Sequence, residues 1–216
     1  KIESRVDVIY NIYDDSKYRC YPIKERNSFR KYFNLPIDKS IAIWSGRITE
    51  IKNLHDLLLA WKIANIDSLL ILVGNSDVYE DQIYQNEIRK LIQDKKIHNV
   101  IFLGFLNESD MYKIYNSSDF YITTSVREGL CNSAIEAVLC GLPIVGYDIS
   151  GIREVAALTT SQFNIFSEIY NIEVLSKNIL SIFKNLQEIR KLRCKIKIRI
   201  SKNQILNYFL KTFFEE

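Results

Sequence analysis

Glycine and proline are scarce, 7 and 3 among 216 residues, well under the usual shares of about 7% and 5%. That scarcity excludes collagen-like, linker-like and low-complexity chains. No apolar run approaches the roughly 18 residues that a membrane span requires, and no signal peptide opens the chain. Charge of one sign is lacking too. Lys+Arg total 29 and Asp+Glu 26, leaving a formal charge of +3, too balanced to argue for nucleic acid. The four cysteines (Cys20, Cys131, Cys140, Cys194) form no CxxC pair and no CxxH spacing, and only His55 and His98 could add soft ligands. No metal site is expected from this set; free thiols in a reducing cytoplasm are. Methionine is nearly absent. The chain opens on Lys1 and its one methionine is Met111, so the expectation is a piece of a longer protein.

What is present is the composition of a folded domain: 47% hydrophobic, 12% aromatic and 25% charged residues. A chain of this length buries roughly 70% of its extended surface and needs no staple to hold a core. Short apolar runs at 40–46, 68–74, 99–104, 119–125 and 142–148 read as strands buried on both faces. Between them, 53–65, 79–95, 108–117 and 132–140 carry helical spacing, with Asp77 and Asn107 placed as N-caps of the second and third. This alternation predicts an α/β fold, a Rossmann-like parallel sheet with helices on both faces. Residues 5–10 read as a leading strand within a linker-like segment, 1–22. The Rossmann-like domain is expected over 23–187. Residues 172–187 read as a further helix, and a basic segment and a last helix (201–214) follow over 188–216. Within that segment 190–202 alternates cations at Arg193, Lys195, Lys197 and Arg199. It is compatible with strand or helix, and a solvated basic face is expected, with an anionic membrane surface or a partner as the alternatives.

All seven glycines lie between 46 and 151, and Gly46, Gly74 and Gly104 each close a predicted strand. Parallel strands end on one edge of their sheet, where doubly wound folds bind ligands. Ser45-Gly46-Arg47 with Lys52 puts two cations on that edge, suited to a diphosphate. The run 128–136 joins the fourth strand to a helix starting near Asn132. Its backbone amides around 131–133 offer an anion site, with Asn132 and Ser133 adding polarity. Glu128 and Glu136 bracket that site, and carboxylates accept well from vicinal hydroxyls. Phosphates flanked by sugars describe a nucleotide sugar. Neither G-x-G-x-x-G nor G-x4-G-K-[ST] follows any strand, which disfavours a dinucleotide oxidoreductase and a P-loop nucleotidase.

The runs SGRITEIK (45–52), LLILVG (69–74), HNVIFLGF (98–105) and EGLCNSAIEAVLCGLPIV (128–145), in that order, resemble the carboxyl-terminal half of a GT-B glycosyltransferase. More narrowly they resemble family 4, the retaining glycosyl transferases group 1, and VIYNIYD (8–14) is similar to the segment by which members reach this domain from their linker. The resemblance implies a retaining transferase with a UDP- or GDP-linked sugar as donor and no metal. Arg47 and Lys52 would hold the donor diphosphate and stabilise the leaving group, and Glu128 would face the transferred sugar. Glu136 would take the ribose hydroxyls. Gly46 and the stretch Gly129, Leu130, Cys131, Asn132 and Ser133 would contact phosphate and sugar, and Phe105 and Leu106 would read the base, with Asn75 on the rim. Cys131 itself reads as a packing residue, having no histidine near it in sequence. An amino-terminal domain outside these residues would bind a glycan or lipid-linked acceptor, and the setting implied is cytoplasmic, peripheral at the inner face of the membrane. One departure is that 157–166 has no glycine, so the family's turn and short strand there are expected to be altered. The spacing of Glu128 and Glu136 argues against a nucleotide-sugar epimerase. The alternative from another class is a non-catalytic nucleotide-sugar-binding subunit.

Overall fold

The computed structural model describes residues 16–75 and 78–196. The apolar runs form β1 (Ser40–Ser45), β2 (Ser68–Val73), β3 (Val100–Gly104), β4 (Phe120–Thr123) and β5 (Ile144–Tyr147). A sixth strand, β6 (Ile165–Ser167), closes the sheet, whose order is β3-β2-β1-β4-β5-β6 with every pairing parallel. The short strand after 157 therefore exists without a glycine; the Asn164 side chain instead accepts the Ile144 N–H at 2.9 Å and guides the chain onto the edge.

Alternate side chains of each strand feed two separate cores. Ala42 and Trp44 of β1 join Leu70, Leu72, Phe120 and Ile122 beneath α2 (Leu54–Ala64), α3 (Tyr79–Asp94), α7 (Ile172–Lys184) and α8 (Leu186–Leu192). Ile41 and Ile43 join Leu69, Ile71 and Tyr121 beneath α4 (Glu108–Ser117), α5 (Asn132–Leu139) and α6 (Ser150–Ala157). This period-2 division is what a strand buried on both faces requires. α1 (Ile23–Tyr32) packs on the outside of α4. Asn107 stands at the α4 cap position, with extended backbone and no cap bond from its side chain. The leading strand at 5–10, Asp77 and the helix at 201–214 lie outside the described residues.

The amino-terminal edge of the sheet is closed by arginine. Helix α4 ends there, and the last carbonyls of a helix have no partner within it. Arg193 donates to Tyr115 O at 3.1 Å and to Ser118 O; Arg26 donates to Asn116 O at 3.2 Å, and Arg30 to Ser117 O at 2.8 Å. Four consecutive carbonyls thus meet three buried guanidiniums, with the sign the helix dipole favours. The next residue, Asp119, accepts from Arg30 at 2.9 Å, from Nε and Nη2 of Arg190 at 2.8 and 2.9 Å, and from the Ile41 N–H at 2.9 Å. Burial alone would push this carboxyl up; the hydrogen bonds from Arg190 and the charges of Arg30 and Arg190 outweigh it and hold Asp119 below its ordinary value.

Two expectations change here. The basic segment is a solvated face only in part where it is described: Lys191 and Lys195 are exposed, but Arg193 is 1% exposed and Arg190, at the surface, pairs with buried Asp119. Residues 188–196 form the second part of α8 and a 3-10 turn packed into the domain. The physical reason is that the α4 carbonyls and Asp119 form a buried negative surface, and two arginines at i and i+3 reach it. Nor are all four thiols free. That same turn lies beside the segment before α1, placing the Cys20 and Cys194 Cα atoms 5.3 Å apart, and the two are joined as a disulfide. Cys131 and Cys140 are free and buried.

Candidate functional site

At the opposite edge, beyond the carboxyl ends of β1, β2, β3 and β4, the sheet opens into a cleft of about 680 Å³. The β1–α2 connection brings Gly46, Arg47 and Lys52 to it, and the end of β2 brings Asn75. Phe105 and Leu106 follow β3. The β4–α5 loop and the first turn of α5 supply Glu128, Leu130, Cys131, Asn132, Ser133 and Glu136. Of the residues expected at the site, Gly129 is the one that does not line the wall, although it sits in the same loop.

The two connections that carry charge are tied together. Thr124 Oγ1 donates to the Lys52 and Asn53 carbonyls at 3.0 and 2.8 Å, and the Val126 N–H donates to Ile51 O at 3.0 Å. These bonds bring Lys52 against Glu128, and the two form an ion pair, both side chains mostly buried. Arg47 behaves differently: its side chain is 67% exposed, with a loose 3.8 Å approach to Asp81. Gly74 has a structural reason to be glycine. Its φ is +138°, and a Cβ there would lie 1.8 Å from the Gly46 carbonyl oxygen. Two strand ends approach through that position, which keeps the cleft floor continuous.

Two buried tyrosines underlie the floor, and the sequence did not mark either. Tyr115 of α4 hydrogen-bonds Ser45 Oγ at 2.7 Å and donates to Glu136 at 3.1 Å. Tyr121 of β4 contacts Ser133 Oγ at 2.8 Å. Burial raises both phenols well above their ordinary value. Burial also raises Glu136, with the Tyr115 donation pulling the other way. Cys131 is 2% exposed and packed in the core beneath α5, its thiol raised by burial. The sequence signal for Tyr115 is its place beside Met111 and Ile114 on one helical face, which reads as core; only the hydroxyl's partners reveal more. Among the described residues no group of three His, Cys, Asp or Glu side chains is arranged to hold a metal ion, and no helix is long and apolar enough to cross a membrane.

A six-stranded parallel sheet with helices on both faces, and a cleft at its carboxyl edge, is a Rossmann-like domain with the form of one half of a GT-B glycosyltransferase. The model of the family described as glycosyl transferases group 1 matches residues 25–199, and the chain belongs to that family of transferases. It is 29% identical over 159 residues to an uncharacterized glycosyltransferase of Methanocaldococcus jannaschii, covering 71% of this chain and 39% of that protein. It is 30% identical over 157 residues to the poly(glycerol-phosphate) alpha-glucosyltransferase of Bacillus subtilis, covering 70% of this chain and 22% of that one. Among solved structures, Anabaena HepE in complex with UDP and glucose superposes with a TM-score of 0.77 at 22% identity, over 95% of this chain and 56% of HepE. A glycosyltransferase from Rickettsia africae gives 0.76 at 20%, over 97% and 56%. The chain thus spans two fifths or less of these two curated relatives and a little over half of these structures.

Proposed function

We propose that this chain is the donor-binding half of a retaining glycosyltransferase of family 4. It holds a nucleotide-diphosphate sugar for transfer to a glycan or lipid-linked acceptor, which a further domain supplies at the inner face of the membrane. The observation that carries the reading is one cleft holding two cations, a helix N-terminus and two carboxylates. Arg47 and Lys52 neutralise the diphosphate, and the N-terminus of α5 adds its dipole to the distal phosphate. Glu136 accepts from the ribose hydroxyls. Phe105, 78% exposed at the cleft mouth, offers its ring beside the backbone that reads the base. A uracil base is supported by the UDP complex of HepE.

The Lys52–Glu128 pair gives the binding step a definite form. An arriving diphosphate competes for the Lys52 ammonium, and Glu128 is released to accept from hydroxyls of the transferred sugar. In transfer, the bond between the anomeric carbon and the phosphate oxygen breaks while the acceptor hydroxyl attacks from the same face. Its proton passes to the departing diphosphate. Arg47 and Lys52 stabilise the charge that develops there, so no metal is required.

Calorimetry with UDP, GDP and ADP, with and without magnesium, tests the donor assignment. Saturable binding of one diphosphate, indifferent to magnesium, is expected. A folded chain that binds none of the three contradicts it. In the complete enzyme, Glu128→Gln is expected to reduce transfer far more than it weakens diphosphate binding.

A further inference from the structure

Tyr115 is 0% exposed, yet its hydroxyl reaches the cleft between two elements that carry candidate ligand groups. A phenol has one proton and a carboxylate can only accept. The proton therefore goes to Glu136, 3.1 Å away, and the Ser45 hydroxyl, 2.7 Å away, must donate to Tyr115. The result is a one-directional chain, Ser45 to Tyr115 to Glu136, running from the end of β1 to α5. The ring is fixed on two sides, at 6.4 Å from the Tyr121 ring and 6.4 Å from the Tyr18 ring.

Resting on the donor reading above, we propose that Tyr115 is the positioning residue for ribose recognition. It orients the Glu136 carboxylate towards the vicinal hydroxyls and relays that orientation from the strand end that carries Gly46 and Arg47. Glu136 is a half-buried side chain on a helix, with χ angles free to turn elsewhere. One donated hydrogen bond from a rigid, buried phenol removes that freedom before ligand arrives, so less ordering is left to be done on binding. The charged form of Glu136, the form that accepts from two hydroxyls, is the form the phenol stabilises.

The test compares affinity for a ribonucleoside diphosphate (UDP, GDP or ADP, whichever the wild-type chain binds) with affinity for its 2′,3′-dideoxy analogue. The readout is the ratio of the two Kd values. In Glu136→Ala the ratio should collapse towards one. Tyr115→Phe keeps the ring packing and removes only the hydroxyl; it should lower the ratio about tenfold, the scale of a hydrogen bond to a charged group. The dideoxy affinity should stay within about twofold of wild type. The pH at which the ratio collapses on acidification should also rise in Tyr115→Phe, because Glu136 loses a group that holds its proton off. A purely structural role would weaken both ligands together, and that result overturns the proposal, as does an unchanged ratio. Should Tyr115→Phe fail to fold, Ser45→Ala carries the test: it removes the donor that orients the phenol and should lower the ratio by a smaller factor, with an unchanged ratio counting against the proposal. A folded wild-type chain that binds no nucleoside diphosphate overturns the donor reading and this inference with it. Binding by the wild type with an unaltered ratio in the variants overturns this inference alone.

Discussion

The two edges of the sheet use the same chemistry to opposite ends. At the amino-terminal edge, Arg26, Arg30 and Arg193 are 1–5% exposed and satisfied by helix carbonyls and Asp119. At the carboxyl edge, Arg47 is 67% exposed and Lys52 is paired with Glu128, itself a candidate ligand group. Buried arginines held by helix carbonyls and Asp119 hold the scaffold, and cations facing an open cleft are available to a ligand. Residue type does not separate these roles; burial and the number of partners already engaged do.

The sharpest way to break this comparison is to remove the acceptor at the closed edge. Asp119→Ala leaves Arg30 and Arg190 without their carboxylate and should cost about 3–5 kcal/mol in urea denaturation, the scale for breaking a buried ion pair. A loss under about 1 kcal/mol would place this edge with ordinary surface pairs. The pH dependence follows from the same residue. Asp119 is held below the unfolded carboxyl value of about 3.9, so its contribution is fully present above that pH. It fades as the pH falls through the lower folded value. The stability gap between wild type and Asp119→Asn should therefore be constant from pH 5 to 7, as a reference range of about two units, and shrink in more acid solution.

Next in size is the Cys20–Cys194 bridge, which closes a span of 174 residues. Reduction, or Cys20→Ser, should lower stability by about 2–4 kcal/mol while leaving diphosphate affinity unchanged, because the bridge lies at the closed edge. At the open edge the pattern inverts. Arg47→Ala and Lys52→Ala should each weaken diphosphate binding by about 1.5–3 kcal/mol, the range for a charged hydrogen bond. Arg47→Ala should move stability by less than about 0.5 kcal/mol, as exposed substitutions do. The smallest effect is expected at Gly129, where an added Cβ would meet nothing within 4 Å; Gly129→Ala should leave both melting temperature and diphosphate affinity near wild type.

Five strands and five helices among the described residues were legible in the sequence, because a buried strand has no choice but to be apolar and its covering helices must show a 3.6-residue period; of the five strands, β3 is only partly buried. Helix α1 was not, for a definite reason: its buried side chains are Arg26 and Arg30, so the inward face is the charged one and hydrophobic periodicity points away from it. Arg193 misled similarly, since a buried arginine and a solvated one look alike in sequence. The cleft residues were largely legible, because the strand-end glycines and the Glu128/Glu136 pair lie in short contiguous runs. Gly74 was legible as a strand end, but its close approach to the Gly46 carbonyl was not. Tyr115 and Ser45 could not be paired from sequence at all, being 70 residues apart and joined only by the parallel register of β1 and β4.

Hydrogen exchange of the chain with and without saturating nucleoside diphosphate tests the division of the two edges most directly. Slowed exchange is expected at 45–53, 104–107 and 128–136, with no change at 26–39, 117–119 and 186–193. Protection centred on the arginine-closed edge, or spread evenly over both, would contradict the assignment of the open edge as the ligand site.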